Sequence, residues 1–320
     1  MDITGLIIDR NTGEIVDDAT RTDYDNFDGC FRLTCDDCVI TDGSGFLKTY
    51  YSMAKRKLVS DLNGYDFYND SLISLPENAI FDIKSCTASY FHVPRKIDDI
   101  FEYFEKYFAN AVRSMIDKRM KICLSMSMGL DSRYLYAILL KNGLSCDLVS
   151  HGKEAVLCEK FFPGLHILND DCRKKYLSEY MKYYRFRKQR SWVIEYHVYA
   201  FYGEVIAYGY DVIIDGLGRN FLCTHPHTID SFHSFQAQNL FMYGREPYIN
   251  AKRIKTLFPY TLKDIRFNLR MLNVNEVEMC KKIQERIKFL CPELADIETP
   301  SFKKAAKNDY DALQMNFRVR

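Results

Sequence analysis

A chain of 320 residues, 47% hydrophobic and 14% aromatic, can bury a large core as one big domain or two unequal ones. With 44 Lys and Arg against 43 Asp and Glu the net charge is +1, so no global field draws it to nucleic acid or to an anionic membrane. The first apolar stretch, Ile3 to Ile8, is broken by Asp9 and Arg10, and no window reaches the roughly 18 apolar residues that a bilayer span needs, so a soluble, cytoplasmic protein is expected. An odd count of 11 scattered cysteines reads as reduced thiols, not a disulfide framework.

Residues 1–94 read as an antiparallel β region. Short alternating runs are punctuated by Asp28-Gly29, Asp42-Gly43-Ser44-Gly45, Asn63-Gly64 and Pro76-Glu77-Asn78. Phe31 to Thr34 and Val39 to Thr41 are predicted strands joined by a tight Asp36-Asp37 turn, which Cys35 and Cys38 flank. A zinc site there needs two more ligands, and no second pair lies at suitable spacing.

From residue 95 to the end the pattern becomes α/β. Ile97, Ile100, Phe101, Phe104, Tyr107, Phe108, Ala111, Val112 and Met115 recur at helical spacing, and Asp98 and Asp99 suit the positive end of that helix. Lys121 to Met126 is a short apolar run suited to a buried parallel strand. A helix is expected from Arg133 to Lys141, closed by Asn142-Gly143. Further strands are read at Cys146 to Ser150, at Gly164 to Leu168 and at Asp211 to Asp215. An aromatic helical stretch runs from Lys174 to Tyr208, its Tyr and Phe stripe expected in the core. The last hundred residues read mainly as helices broken at Pro247 and Pro259. Strand alternating with helix predicts a parallel sheet.

Chemistry is concentrated in the strand–turn–helix around Ser127-Met128-Gly129-Leu130-Asp131-Ser132. A turn beyond a parallel strand that opens a helix presents backbone N–H groups and the helix's positive end, which together attract phosphate. Ser127 and Ser132 add hydroxyl donors. Gly129 lets the backbone approach a phosphate or adopt φ > 0. Asp131 would repel phosphate unless a cation such as Mg2+ bridges the two.

These six residues resemble the S-G-G-x-D-S signature of the PP-loop ATP pyrophosphatases. With Leu130 and Arg133 they are most similar to the asparagine synthetase branch, where L-S-G-G-L-D-S is common. Met128 departs from the pattern, and its side chain either crowds the pyrophosphate or points away. Asp215-Gly216-Leu217-Gly218-Arg219-Asn220 resembles the family's G-E-G-x-D-E turn, with Leu217 in place of glutamate and Asn220 in place of a magnesium-binding aspartate. Arg245-Glu246-Pro247-Tyr248-Ile249-Asn250 resembles R-x-P-F-L-D. Phe258-Pro259, Lys263 to Arg270 and Cys291-Pro292-Glu293-Leu294-Ala295 resemble later helical segments. The order and spacing cover most of residues 95 to 300. In front of them, Asp28-Gly29-Cys30-Phe31, Thr41-Asp42-Gly43-Ser44-Gly45 and Tyr50-Tyr51 resemble the later half of a glutaminase domain. Asp2 stands where the nucleophilic cysteine would be, which implies a remnant that cannot hydrolyse glutamine.

The resemblance implies a parallel α/β sheet of the adenine-nucleotide α-hydrolase (PP-loop) type, preceded by a small antiparallel β region and followed by helices. It implies ATP and Mg2+, cleavage to AMP and pyrophosphate, adenylation of a small-molecule or peptide carboxylate, and attack by a substrate amine to form an amide. Leu124, Ser125, Ser127, Met128, Gly129, Leu130, Ser132 and Arg133 would line the nucleotide site. Ser150, His151 and Gly152 from the next strand would join them, with Gly216, Leu217 and Gly218 as its floor. Asp131 and Asn220 would hold the metal. Lys303 or Lys304, in a cluster with Lys307, would stabilise the adenylate as it collapses. Two alternatives stay open: a degenerate relative that binds nucleotide or a protein without catalysis, and a PP-loop enzyme acting on nucleic acid. The basic run Arg185-Phe186-Arg187-Lys188-Gln189-Arg190 bears on the second, against its reading as a solvated helix end. His225-Pro226-His227, with Cys223 and His233, is expected in a loop near the site, the proline holding the two histidines apart. A homo-oligomer, or a complex with a biosynthetic partner, also stays open.

Overall fold

The computed structural model describes residues 2–17, 24–42, 47, 49–59, 71–76, 78–90, 94–168, 173–184, 192–217 and 245–297. At the N-terminus, β1 (Asp2–Asp9) and β2 (Phe27–Thr34) pair antiparallel from Asp2↔Thr34 to Asp9↔Phe27. Gly5 and Gly29 lie in this ladder with φ of +92° and +116°, and a Cβ on them would sit 2.1 Å from the Cys30 carbonyl oxygen and 2.3 Å from that of Leu6. Only glycine lets the two backbones approach so closely. The expected hairpin is present: β3 (Cys38–Thr41) returns along β2, and the Cys35 N–H donates to the Cys38 carbonyl at 2.8 Å. With β7 (Ala79–Asp82) and β8 (Thr87–Tyr90) the sheet runs β1-β2-β3-β7-β8, antiparallel throughout. Three short strands, β4 (Tyr50–Ser52), β5 (Lys57–Val59) and β6 (Leu72–Ser74), form a second antiparallel sheet in the order β5-β4-β6.

Helix α1 (Ile100–Asp117) is opened by Asp99, whose carboxylate accepts the Glu102 N–H at 3.0 Å. It leads into a five-strand parallel sheet of β9 (Ile122–Ser125), β10 (Asp147–His151), β11 (His166–Leu168), β12 (Val212–Ile214) and β13 (Lys255–Leu257), in the order β11-β10-β9-β12-β13. Around it lie α2 (Leu130–Lys141), α3 (Gly152–Glu159), α4 (Arg173–Tyr184), α5 (Trp192–Ala207), α6 (Glu246–Asn250), α7 (Lys263–Met271), α8 (Glu276–Leu290) and α9 (Pro292–Ala295).

Strand alternation divides the core into two layers, because successive side chains point to opposite faces. Ile122, Leu124, Leu148, Val212 and Ile214 face one core, built with α1, α2, α7 and α8. Cys123, Val149 and Ile213 face the other, where Tyr180, Tyr196, Tyr199 and Tyr202 of α4 and α5 are buried. Tyr176, Tyr180, Tyr196, Tyr199, Phe201 and Tyr202 of the aromatic stripe are therefore core, whereas Tyr208 at its end is 47% exposed. Both faces of the sheet are covered, as an all-parallel sheet requires.

The antiparallel sheet is built into this body. Leu6, Ile8 and Ile15 belong to the first core alongside α1 and β9. Arg10 grips the buried Asp264 of α7 through two bonds of 2.6 Å, and Arg95 adds its N–H at 2.8 Å and its Nε at 2.9 Å. Among the described residues no helix is long and apolar enough to cross a membrane.

Candidate functional site

The strand order supplies the frame. From β9 the chain builds β10 and β11 on one side, then returns to place β12 and β13 on the other. The order of building reverses at β9, and in open parallel sheets ligands bind in the crevice beyond the strand ends at that reversal. The register aligns Ile214 of β12 with Leu124 of β9, and Val149 of β10 with Ser125. The turns that follow β9 and β12, at 126–129 and 215–217, and the junction of β10 with α3 at 151–152 therefore lie at one edge.

In the first turn the two serines are tied together. Their hydroxyl oxygens are 3.0 Å apart, the Ser127 N–H donates to the Ser132 hydroxyl at 3.1 Å, and that hydroxyl donates to the Ser127 carbonyl at 3.1 Å. The Gly129 N–H donates to the Ser127 hydroxyl at 3.1 Å. Gly129 is the N-cap of α2 with φ −71° and ψ 160°, so it does not use left-handed freedom. It brings no capping side chain, which leaves the positive end of α2 without a cap from its own N-cap residue. The helix begins at Leu130, earlier than the Arg133 expected from sequence.

Met128 is 2% exposed and belongs to the first core with Met126. Leu124 is fully buried in the same core, and Leu130 is partly buried against that core. Arg133 is also inside: its guanidinium donates to the carbonyls of Gly129, Leu294 and Ile297, tying the turn to the end of α9. Burial lowers its pKa from the ordinary arginine value.

The second turn adjoins the first. A Cβ on Gly216 would lie 3.4 Å from the Ser132 nitrogen and 3.5 Å from the Asp131 Cβ. Asp131 is half-buried, and its carbonyl accepts the Tyr260 hydroxyl at 3.1 Å. Asp215, at the end of β12, accepts Arg245 Nε at 3.0 Å and Nη2 at 2.8 Å on one carboxylate oxygen, with the Tyr202 hydroxyl at 3.3 Å. Its other oxygen accepts the Leu217 N–H at 3.0 Å and so shapes the turn. Burial works against the Arg245 charge, but the Asp215 carboxylate outweighs it and raises the Arg245 pKa above the ordinary value. Burial first, then Asp215, pushes the Tyr202 phenol far above its usual range. Leu217 packs against the second core.

On the other flank Ser150 is buried, and the Met126 N–H donates to the Val149 carbonyl at 2.8 Å. His151 is the N-cap of α3 and its ring lies 4.6 Å from that of Phe201; Gly152 follows with φ +70°. Gly218, Asn220, Lys303, Lys304 and Lys307 lie outside the described residues, as do Cys223, His225, His227, His233 and the basic run at 185–190. Sequence reasoning missed Tyr202, Tyr260 and the carboxylate of Asp215 as parts of this edge. Asp215 and Arg245 each fall in a segment singled out by the resemblance, but their pairing has no signature in spacing. Among the described residues no group of three His, Cys, Asp or Glu side chains is placed to hold a metal. Comparison with known proteins gives no family model that matches the chain and no curated protein similar to it.

Proposed function

We propose that the chain binds ATP in the crevice between the 126–129 and 215–217 turns, adenylates a carboxylate with release of pyrophosphate, and passes the acyl group to a substrate amine as an amide. The observation that carries this reading is the meeting of the two glycine turns at the strand-order reversal, with Gly216 against Asp131 and Ser132. The start of α2 supplies backbone donors for phosphate, and the Ser127 and Ser132 hydroxyls, which in the free protein bond to each other and to the Ser127 carbonyl, would turn to it on binding. Asp131 supplies one carboxylate, which fits Mg2+, a cation that takes one or two carboxylates and completes its shell with phosphate oxygens and water. When bound, the cation neutralises charge on the departing pyrophosphate. Ser150 and His151, on the far side of β9, would flank the nucleotide. The burial of Met128 supports the reading, since its side chain is part of the first core.

The reading is tested by ATP–pyrophosphate exchange with Mg2+ over a pool of carboxylates, on the wild type and on Asp131→Ala. Exchange that needs both a carboxylate and Asp131 is the expected result. A second reading, a relative that binds nucleotide without catalysis, draws on Leu217, a core contact where the resemblance calls for an acidic group. Tight ATP binding with no exchange over broadening pools would favour it. Absence of ATP binding would end both.

A further inference from the structure

The N-terminal sheet is connected to the nucleotide turn through one short, buried segment. Helix α7 begins at Lys263, and its N-cap Leu262 offers no side-chain cap. The cap comes from the other end of the chain: the Asp28 carboxylate of β2 accepts the Lys263 N–H at 2.9 and 3.1 Å, and the Lys263 ammonium donates to the Phe27 carbonyl at 3.0 Å. One residue on, Asp264 is held by Arg10 and Arg95. Just before the helix, the 3-10 turn Pro259–Thr261 carries Tyr260, 1% exposed, stacked on Phe104 at 5.1 Å and donating its hydroxyl to the Asp131 carbonyl. Residues 257–265 are buried without a break. A close-packed segment of this kind, pinned at both ends, transmits displacement instead of absorbing it.

We infer that Tyr260 is a positioning residue: through it the N-terminal sheet, acting from Asp28 on the start of α7, sets the placement of Asp131 and the first turn of α2. On this account the β region is a working buttress of the site. The inference deepens the nucleotide reading above and rests on it for its functional consequence. The geometry itself is testable without nucleotide.

The experiment uses the full chain as wild type, Tyr260→Phe, Asp28→Asn and the double variant. Amide hydrogen exchange is followed over 127–133 in the free protein, with MgATP affinity and Tm measured in parallel. Tyr260→Phe keeps the ring and its stacking on Phe104, so Tm stays close to that of the wild type. Exchange over 127–133 rises about threefold to tenfold, the span that one hydrogen bond allows. Asp28→Asn raises exchange over the same residues in the wild-type background and adds little to Tyr260→Phe, because coupled sites are not additive. MgATP affinity falls in the same order. If Asp28→Asn changes exchange in α7 and leaves 127–133 as it was, or if the two effects simply add, the inference is overturned. If the exchange coupling is found but the wild type does not bind MgATP, the nucleotide reading fails and the positioning role stands.

Discussion

Arg245 and Asp215 are both buried, and taking such a pair out of water costs free energy that their attraction only partly returns. Their placement at the end of β12, with the carboxylate also holding the Leu217 N–H, gives the pair a task that an apolar pair of similar size could not perform. Removing one partner alone leaves a charge stranded. Arg245→Met should therefore destabilise by about 3–5 kcal/mol, while Arg245→Met with Asp215→Asn should recover most of that loss, because the amide keeps an acceptor for Leu217. Urea denaturation of the three proteins decides it. A double variant no more stable than the single one would show that the pair's charge is not what matters.

At the scale of elements, the β9–α2 unit shows how far a strand register decides what a motif residue does. Met128 stands where the resembled family has glycine, and it is a filled core position. Met128→Gly should not loosen an obstructed site. It should leave a cavity in the first core and cost about 2–5 kcal/mol, read as a lowered urea midpoint. An unchanged midpoint with tighter MgATP binding would mean that the side chain does crowd the turn. The burial of Met128 could not be read from sequence, since six residues of turn do not reveal which face each one takes. Apolar periodicity was enough to find α1, β9, β10 and β12, because long or continuous apolar runs carry their own signal. Strand β13 escaped, as only Lys255–Leu257 pair and it is the parallel ladder to Val212–Ile214 that makes them a strand. Helix α3 escaped because its short sequence is weakly amphipathic. The candidate site was drawn from sequence as a pair of glycine turns, and the structure brings those turns together. The side chains that hold those turns were not legible there, because Tyr202, Arg245 and Tyr260 reach them across the fold.

For the whole molecule, Asp28 makes the joint between its two halves sensitive to acidity. Burial raises its carboxyl from 3.8 to about 6, against the pull of Lys263 and of the N–H groups it accepts. An acid with a raised folded pKa holds its proton more tightly when folded. Its stabilisation is complete below the unfolded value and is lost as pH rises through about 6, a change on the order of 3 kcal/mol. Asp264 works the other way in a lower window. Burial alone would raise it, but the bonds from Arg10 and Arg95 hold it below its ordinary value, so its contribution is lost only as pH falls under about 4. Asp28→Asn should flatten the decline between pH 4 and pH 6 without touching the acid limb. Urea midpoints across that range test it, and an unchanged slope would assign the decline to another group.

The partners at this joint are also far apart in time. Arg10 and Asp264 are separated by 254 residues. At about 5–20 residues per second a ribosome needs roughly ten to fifty seconds between one and the other. Throughout that interval Leu6 and Ile8, which end in the common core, have no α7 or β13 to close over them. The early strands are thus born long before their cover, and their exposed ladder is a template for pairing with the same segment of another nascent chain. Newly made protein should be most prone to aggregate while synthesis is between these two residues, and a holdase bound to the first strands would act in that window.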